Sequence, residues 1–390
     1  MKRILSCILS VLLLGSLVVP VQAAFNALYV FGDCISATTN NTSGLPFYYG
    51  QRYSNGRVWV EVLAQRQGLT FDNNKNWSYF YNSSTTLVAN VTSFQPPADV
   101  GNDLFVIWVN CADLWFPAYN SGVNMASWTS AINTSQTNHF KAVTNLYAKG
   151  VRTLVMPNAV DVSTIPAFNT SVNASFIHQR CVDYNFAFSN TLNRIRAACP
   201  NLRLYTPDFF ALLTNLLTYP ASYGLINIYG NGKVIDAVDA VNYGYPAAVN
   251  NGFGTNAIFW DPQDPTAMVH MWMANLTQQL ISPVQISGIA LFNGSNRLDL
   301  ANVPVGQDGL VLGSTNLGPW IWTTNAGFAS TNPVQSVFVL TSLPAQPSLP
   351  LFTPNDGPPM PPGNGEIGGT NIPPTMQLYR LQFPYAWTWP

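Results

Sequence analysis

The feature that most constrains the fold is an alternation of strand-like and helix-like segments between residues 25 and 283. Short apolar runs that end in turn residues alternate with longer stretches in which apolar residues recur at helical spacing. Such alternation is typical of a parallel sheet with helices on both faces. The sequence therefore predicts an α/β domain over 25–283, with strands in "NALYVFGD", "DLFVIWVN", "VRTLVMPN" and "NLRLYTPD".

Helices are predicted between these strands. Each helical stretch has apolar periodicity, and two of them end at a glycine, Gly68 and Gly150. The longest covers 172–198, and the last has Pro265 near its first turn. The predicted helices are "GRVWVEVLAQRQG", "TSQTNHFKAVTNLYAKG", 172–198, "DFFALLTNLLTYPASYG" and "DPTAMVHMWMANLTQQLI".

The pattern changes after residue 284. Helical spacing stops, and short β-type runs such as "NRLDLANV" and "SVFVLTSL" are separated by turn residues. These runs predict a small antiparallel β-sandwich over 284–390. Within it, the proline- and glycine-rich segment 344–374 is predicted to be an extended loop.

The N-terminus predicts export. Lys2 and Arg3 precede an apolar run, and small residues lead to Ala23, as in a signal peptide over 1–23. An uncleaved anchor helix is the alternative, but the run is short for a span. No second long apolar run follows. We therefore expect a secreted or periplasmic protein without a membrane span after cleavage.

Composition narrows the functional classes. Only 8% of residues are charged and the net charge is -1, so nothing favours binding to nucleic acid or to an anionic membrane. The four cysteines that follow the signal peptide lack zinc-ligand spacing, and the chain has only 3 histidines, so we expect no metal and no cofactor. The long helix should hold Cys181 and Cys199 about 27 Å apart, too far for a disulfide.

Ligands of open parallel sheets bind beyond the carboxyl ends of the strands. Three distinctive stretches fall at such ends or at the start of a helix: "FGDC", "WVNCAD" and "FWDPQDPT". Together with "SNGRVWVEVLA" around Gly56, they resemble the SGNH or GDSL family of esterases and lipases. The first family block reads roughly FGDSLSDTGNN, and the last reads D-x-x-H-P-T-x-x-x-H. The residues that match are Phe31, Gly32, Asp33, Ser36, Thr38, Asn40, Asn41, Asp261, Pro265, Thr266 and His270.

The resemblance implies a three-layer, flavodoxin-like α/β fold and the hydrolysis of esters. It also implies roles: Cys34 stands where the family has its nucleophilic serine, and Asp264 where it has the histidine base. Asp261 keeps the orienting carboxylate. Gly56 keeps an oxyanion donor, but Ala112 replaces the asparagine donor. Three of the five roles are therefore altered.

The replacements argue against catalysis. Negative neighbours (Asp33, Asp261 and Asp264) should raise the pKa of the Cys34 thiol and keep it neutral. Asp264 should be a poor base because the reference pKa of an aspartate is about 4. Ala112 offers no donor, and losing one such donor costs about 3 kcal/mol.

Several of these residues also have structural interpretations. Cys34 could be a small buried cysteine, Asp33 a turn carboxylate, and Asp264 a helix N-cap followed by Pro265 at the first helical position. His270 lies about 600° around the helix from Asp264, which favours a packing role. His139 and His178 fall on ordinary helical stretches and are predicted to be structural or exposed.

Cys34 and Cys111 follow neighbouring strands, which raises the hypothesis of a disulfide across the cleft. For function, two hypotheses stay open. The first is a secreted ester hydrolase that acts on a small-molecule or polysaccharide ester. The second is a catalytically inactive relative that binds a carbohydrate or acyl ligand in the same cleft.

Overall fold

The computed structural model describes residues 25–246, 255–292, 295–314, 322–340, 378–383 and 387–388. The predicted signal peptide 1–23 and the predicted loop 344–374 lie outside these residues. None of the helices in the described part of the chain is long and apolar enough to cross a membrane.

A parallel sheet forms the centre of the α/β part. Its strands are β1 (Leu28–Gly32), β2 (Leu104–Trp108), β3 (Thr153–Val155) and β4 (Arg203–Tyr205), hydrogen-bonded in that order. The side chains of β1 and β2 are buried along their whole length, as expected for strands covered on both faces. All four strands lie within the predicted runs, and the predicted α/β fold class is confirmed.

The sheet differs from a full flavodoxin-like order on the outer side of β1, where that order places another strand. Here a single parallel bridge joins Val30 to Asn76. The Trp77 backbone N–H donates to the Val30 carbonyl at 2.8 Å. Among the described residues, this bridge is the backbone pairing on the edge of β1 that faces away from β2.

Helices cover the sheet, with bounds α1 (Trp59–Arg66), α2 (Ser84–Ser93), α3 (Asn110–Asn120), α4 (Met125–Ala148), α5 (Ala174–Ala198), α6 (Phe209–Thr218) and α7 (Ala267–Ile281). Every predicted helix is present, and two others, α2 and α3, were not predicted. The helix α4 begins earlier than predicted because the Asn124 side chain caps it, accepting from the backbone N–H of Ser127.

The start of α7 corrects the sequence interpretation. We expected Asp264 to cap this helix with Pro265 at its first position, but the cap is Thr266. The Asp264 carbonyl accepts from the Trp260 N–H at 2.9 Å, and Pro265 forms an antiparallel bridge with Phe259. This pairing keeps Asp264 and Pro265 outside the helix.

Two short strands, β5 (Ile228–Gly230) and β6 (Lys233–Ile235), form a separate hairpin.

The β-strands after α7 form two antiparallel sheets, which confirms the predicted β module. Their bounds are β7 (Gln285–Phe292), β8 (Ser295–Ala301), β9 (Gly309–Ser314), β10 (Thr323–Phe328), β11 (Val334–Leu340), β12 (Leu378–Phe383) and β13 (Trp387–Thr388). One sheet has the order β10-β9-β12-β13 and the other β11-β8-β7, and Leu298, Leu300, Val337 and Phe383 pack between them. The proposed domain boundary near 283 falls between α7 and β7 and stays a prediction.

Candidate functional site

Cys34 lies at the carboxyl end of β1, in a single 3-10 turn, Cys34–Ser36. Asp33 caps this turn, because its Oδ1 accepts from the Ile35 N–H at 3.2 Å. The Asp33 backbone N–H donates to the Trp108 carbonyl at 3.1 Å. Asp33 is thus a turn carboxylate, as the sequence suggested, and its backbone links the loop after β1 to the end of β2.

Ala112 lies in the first turn of α3, which begins directly after β2. The next residue, Asp113, fixes this helix. Its Oδ1 accepts from the Ser84 backbone N–H at 3.0 Å, and its Oδ2 accepts from the Ser135 hydroxyl at 2.5 Å. These bonds tie α3 to the start of α2 and to α4, so the position of Ala112 is set by three helices.

Gly56 lies in the loop before α1 and packs against the start of α7. A β-carbon at Gly56 would lie 2.6 Å from Cβ of Ala267, a contact that only glycine avoids. The neighbouring Asn55 Oδ1 accepts from the Ala267 backbone N–H at 2.8 Å, and the Ser54 hydroxyl donates to the Pro265 carbonyl at 2.9 Å. This loop therefore holds the segment that carries Asp264.

Cys34, Asp264 and Asp261 form a series of neighbouring side chains. The charges of Asp264 and Asp261 act on the Cys34 thiol, and the charge of Asp261 acts on Asp264. The Tyr48 hydroxyl donates to Asp261 Oδ2 at 2.7 Å, and Asp261 Oδ1 accepts the backbone N–H groups of Gln263 and Asp264 at 2.9 and 2.8 Å. The structure thus brings together the three residues that the resemblance assigns to nucleophile, base and orienting acid.

Burial decides the protonation of this series. It raises the pKa of the Cys34 thiol well above its usual range, and the carboxyl groups of Asp264 and Asp33 raise it further. Burial and the charge of Asp261 raise the pKa of Asp264 as well. The sequence argument, which treated Asp264 as an ordinary aspartate of low pKa, is wrong on this point. Burial and Asp261 favour the protonated form of Asp264, which cannot act as a base.

The histidines lie elsewhere. Nδ1 of the buried His270 accepts the Trp59 backbone N–H at 3.2 Å, and burial lowers its pKa to about 3. His270 therefore closes the first turn of α1, as a packing histidine. His139 is buried and bonds to Ser135 of its own helix, and His178 pairs with Asp161.

Cys34 and Ala112 line a partly open cleft of about 470 Å³, a volume that includes space continuous with solvent. Cys111 lines the same cleft, but Cys34, Cys111, Cys181 and Cys199 are all free thiols. Cys111 lies on a helical turn, not on a strand end, and the hypothesised bridge to Cys34 is absent. In the described parts of the chain, no group of three or more His, Cys, Asp or Glu side chains is arranged to hold a metal ion.

Sequence reasoning missed the aromatic wall of this cleft, which contains Phe80, Tyr81, Trp115 and Phe116. It assigned most aromatic residues to the core, and Trp59, Trp108, Trp128 and Trp260 are indeed fully buried. A weak signal was available in "LWFPAY", a cluster of aromatic residues directly after the stretch "WVNCAD".

A sequence profile for the family described as GDSL-like Lipase/Acylhydrolase matches residues 28–277. This match runs from the first residue of β1 into α7 and covers more than half of the chain. The chain belongs to this family. Membership agrees with the order of the motif blocks along the chain and with the parallel sheet that positions them.

Individual members and neighbours are more distant. A phosphatidylcholine-sterol acyltransferase of Aeromonas hydrophila is 27% identical over 188 residues, which are 43% of this chain and 54% of that protein. The chain thus spans about half the length of this relative. An acetylxylan esterase from Geobacillus stearothermophilus superposes with a TM-score of 0.40 at 13% identity, over 67% of this chain and 95% of its own. An α/β hydrolase from the metagenome of Lake Arreo gives a TM-score of 0.35 at 13% identity, over 65% and 94%.

Proposed function

We propose that this member of the GDSL-like family binds a neutral ester-bearing ligand in the cleft and does not hydrolyse it. The series of neighbouring side chains Cys34–Asp264–Asp261 carries this proposal. An ester hydrolase of this type needs a deprotonated or base-activated nucleophile. Here burial and the nearby carboxyl groups favour the neutral thiol, and burial and Asp261 favour the protonated form of Asp264.

The oxyanion position supports the same conclusion. A negative oxygen that develops on the substrate needs preorganised donors. Ala112 supplies no side-chain donor where the family has its asparagine. The cleft therefore retains the space to bind an ester, but it has lost one of the donors that would stabilise the transition state.

We propose that this binding takes place outside the cytoplasm, in the secreted or periplasmic space, because the N-terminal sequence has the features of a signal peptide. The ligand would be a small-molecule ester or an ester group on a polysaccharide. No cofactor takes part in the proposed binding.

One observation favours a second function, ester hydrolysis with Cys34 as nucleophile. The Asp264 carboxyl group is a neighbour of the Cys34 thiol and acts on it electrostatically. If Asp264 lost its proton to solvent, it would be placed to take the thiol proton as the sulfur attacks the ester carbonyl. Asp261 opposes the initial loss of the Asp264 proton, because burial and the charge of Asp261 raise the pKa of Asp264.

Hydrolysis assays separate the two functions. We expect purified mature protein to hydrolyse p-nitrophenyl acetate and butyrate no faster than its Cys34→Ala variant, because the thiol contributes no nucleophile. Calorimetric titration with a non-chromogenic butanoate ester should show binding, and the ester should be recovered intact. Turnover in the parent that disappears in Cys34→Ala would establish the second function instead.

A further inference from the structure

The aromatic wall of the cleft is a continuous surface. The rings of Tyr81 and Phe116 stack with centroids 5.3 Å apart and planes 27° apart. Trp115 lies 6.0 Å from Tyr81 and 6.4 Å from Phe80. These separations fall within the range in which aromatic rings attract one another. Two segments far apart in sequence, the loop before α2 and the helix α3, thus present their rings to one side of the cleft.

Tyr81 has an unusual backbone conformation at the mouth of this cleft. Its φ is 67°, in the left-handed region that glycine and asparagine tolerate and tyrosine avoids. Its side chain is nevertheless 50% exposed. Strain of this kind persists where surrounding structure imposes it, and it is concentrated at functional sites.

The neighbours of Tyr81 impose the strain. The buried Asn82 donates from Nδ2 to the carbonyls of Gly32 and Trp77 at 2.7 and 3.0 Å. On the other side, the Phe80 backbone N–H donates to Asn40 Oδ1 at 3.0 Å. Both flanking residues are anchored, and Tyr81 makes the bend between them. Glycine or asparagine would make this bend at lower cost, so the tyrosine ring itself is the feature to explain.

The polarity of the cleft indicates what the ring contacts. A sugar would need many hydrogen-bond partners for its hydroxyl groups, but the lining is mainly apolar and aromatic. Its polar members include Asp33, Cys34 and Gln263. The described residues that line the cleft include no lysine, arginine or histidine that could pair with an anionic ligand. A neutral, planar and apolar group fits this environment better than a sugar or a free acid.

We propose that the ligand carries an aromatic ring, which stacks against Tyr81, Trp115 and Phe116, and that Tyr81 determines this specificity. The inference rests on the proposed function and adds the chemical class of the ligand. The ester group would lie toward Cys34 and Gln263, at the floor of the cleft.

Two matched esters test this directly by calorimetry, benzyl butanoate and cyclohexylmethyl butanoate. They have the same connectivity and nearly the same size, but only the first has an aromatic face. We expect the parent to bind the benzyl ester about 3- to 10-fold more tightly. Tyr81→Phe should keep this ratio, whereas Tyr81→Asn should bring it to about 1.

A stability measurement guards against a folding artefact. Because asparagine tolerates the left-handed conformation, Tyr81→Asn should unfold at the same or a higher urea concentration than the parent. As a matched control, Tyr219→Asn changes an exposed tyrosine at the end of α6, and it should leave the ratio unchanged.

Equal affinities, tighter binding of the cyclohexyl ester, or a ratio that survives Tyr81→Asn would overturn the ring inference while leaving ester binding intact. If neither ester binds, the proposed function and the ring inference both fail. If the parent hydrolyses both esters, only the proposed function fails. The ratio measured on Cys34→Ala then still decides the role of Tyr81.

Discussion

The triple variant Cys34→Ser, Ala112→Asn and Asp264→His is expected to hydrolyse p-nitrophenyl butyrate at about 10²–10⁴ times the rate of the parent. The structure gives the reason, because residue 264 already lies between residue 34 and Asp261. A histidine there would meet a serine on one side and a carboxylate on the other, the arrangement of a catalytic triad. An asparagine at 112 would add the missing donor in the cleft.

The double variant Cys34→Ser and Ala112→Asn is the matched control, since it retains Asp264. It should be as inactive as the parent, because His270 accepts the Trp59 N–H and cannot serve as the base. Activity of the double variant equal to that of the triple variant would make another residue the base. A folded but inactive triple variant would show that the assignment of roles to these positions is wrong.

Stability is expected to fall as the pH rises from about 4 to about 7, and Asp33 should be a principal cause. Burial raises its pKa from 3.8 in the unfolded chain to about 7 in the folded protein, which corresponds to about 4 kcal/mol. The folded state therefore binds more protons than the unfolded state in this window. The stabilisation is fully present below pH 4 and is lost as the pH rises through 7.

Asp33→Asn should flatten this dependence. The amide oxygen can still accept the backbone N–H of Ile35, but the side chain does not ionise. Urea unfolding between pH 4.5 and 8.5 measures the effect, with Asp236→Asn as a comparison. Burial raises the pKa of Asp236 only to about 6, so its removal should flatten the curve less. An unchanged slope in Asp33→Asn would show that Asp33 is ionised in the folded protein.

The sequence predicts the sheet and the long helices well because their burial pattern is written locally. Strands β1 and β2 are continuous apolar runs that end in turn residues. The helix α3 could not be predicted in this way. Its cap, Val109, makes no side-chain hydrogen bond, and Pro117 lies inside it, which are features that argue against a helix.

The site shows the same division. Cys34, Ala112, Asp261 and Asp264 could be identified because each falls in a motif block, although their roles are still predictions. The raised pKa of Asp264 could not be predicted, because it depends on burial that only the folded chain creates. The strained backbone of Tyr81 could not be predicted from the sequence either, since it arises from bonds between Asn82 and a strand that is distant in sequence.

The most direct test concerns the protonation of Cys34. The mature protein would be treated with iodoacetamide from pH 5 to pH 10, and alkylation of the Cys34 peptide would be followed by mass spectrometry. Only the thiolate reacts at a useful rate, so the profile reports the pKa of this thiol. We predict that the rate rises up to pH 9 and beyond without reaching a plateau. A plateau reached at or below pH 7 would show a reactive thiolate at the nucleophile position and would contradict a cleft that binds esters without hydrolysing them.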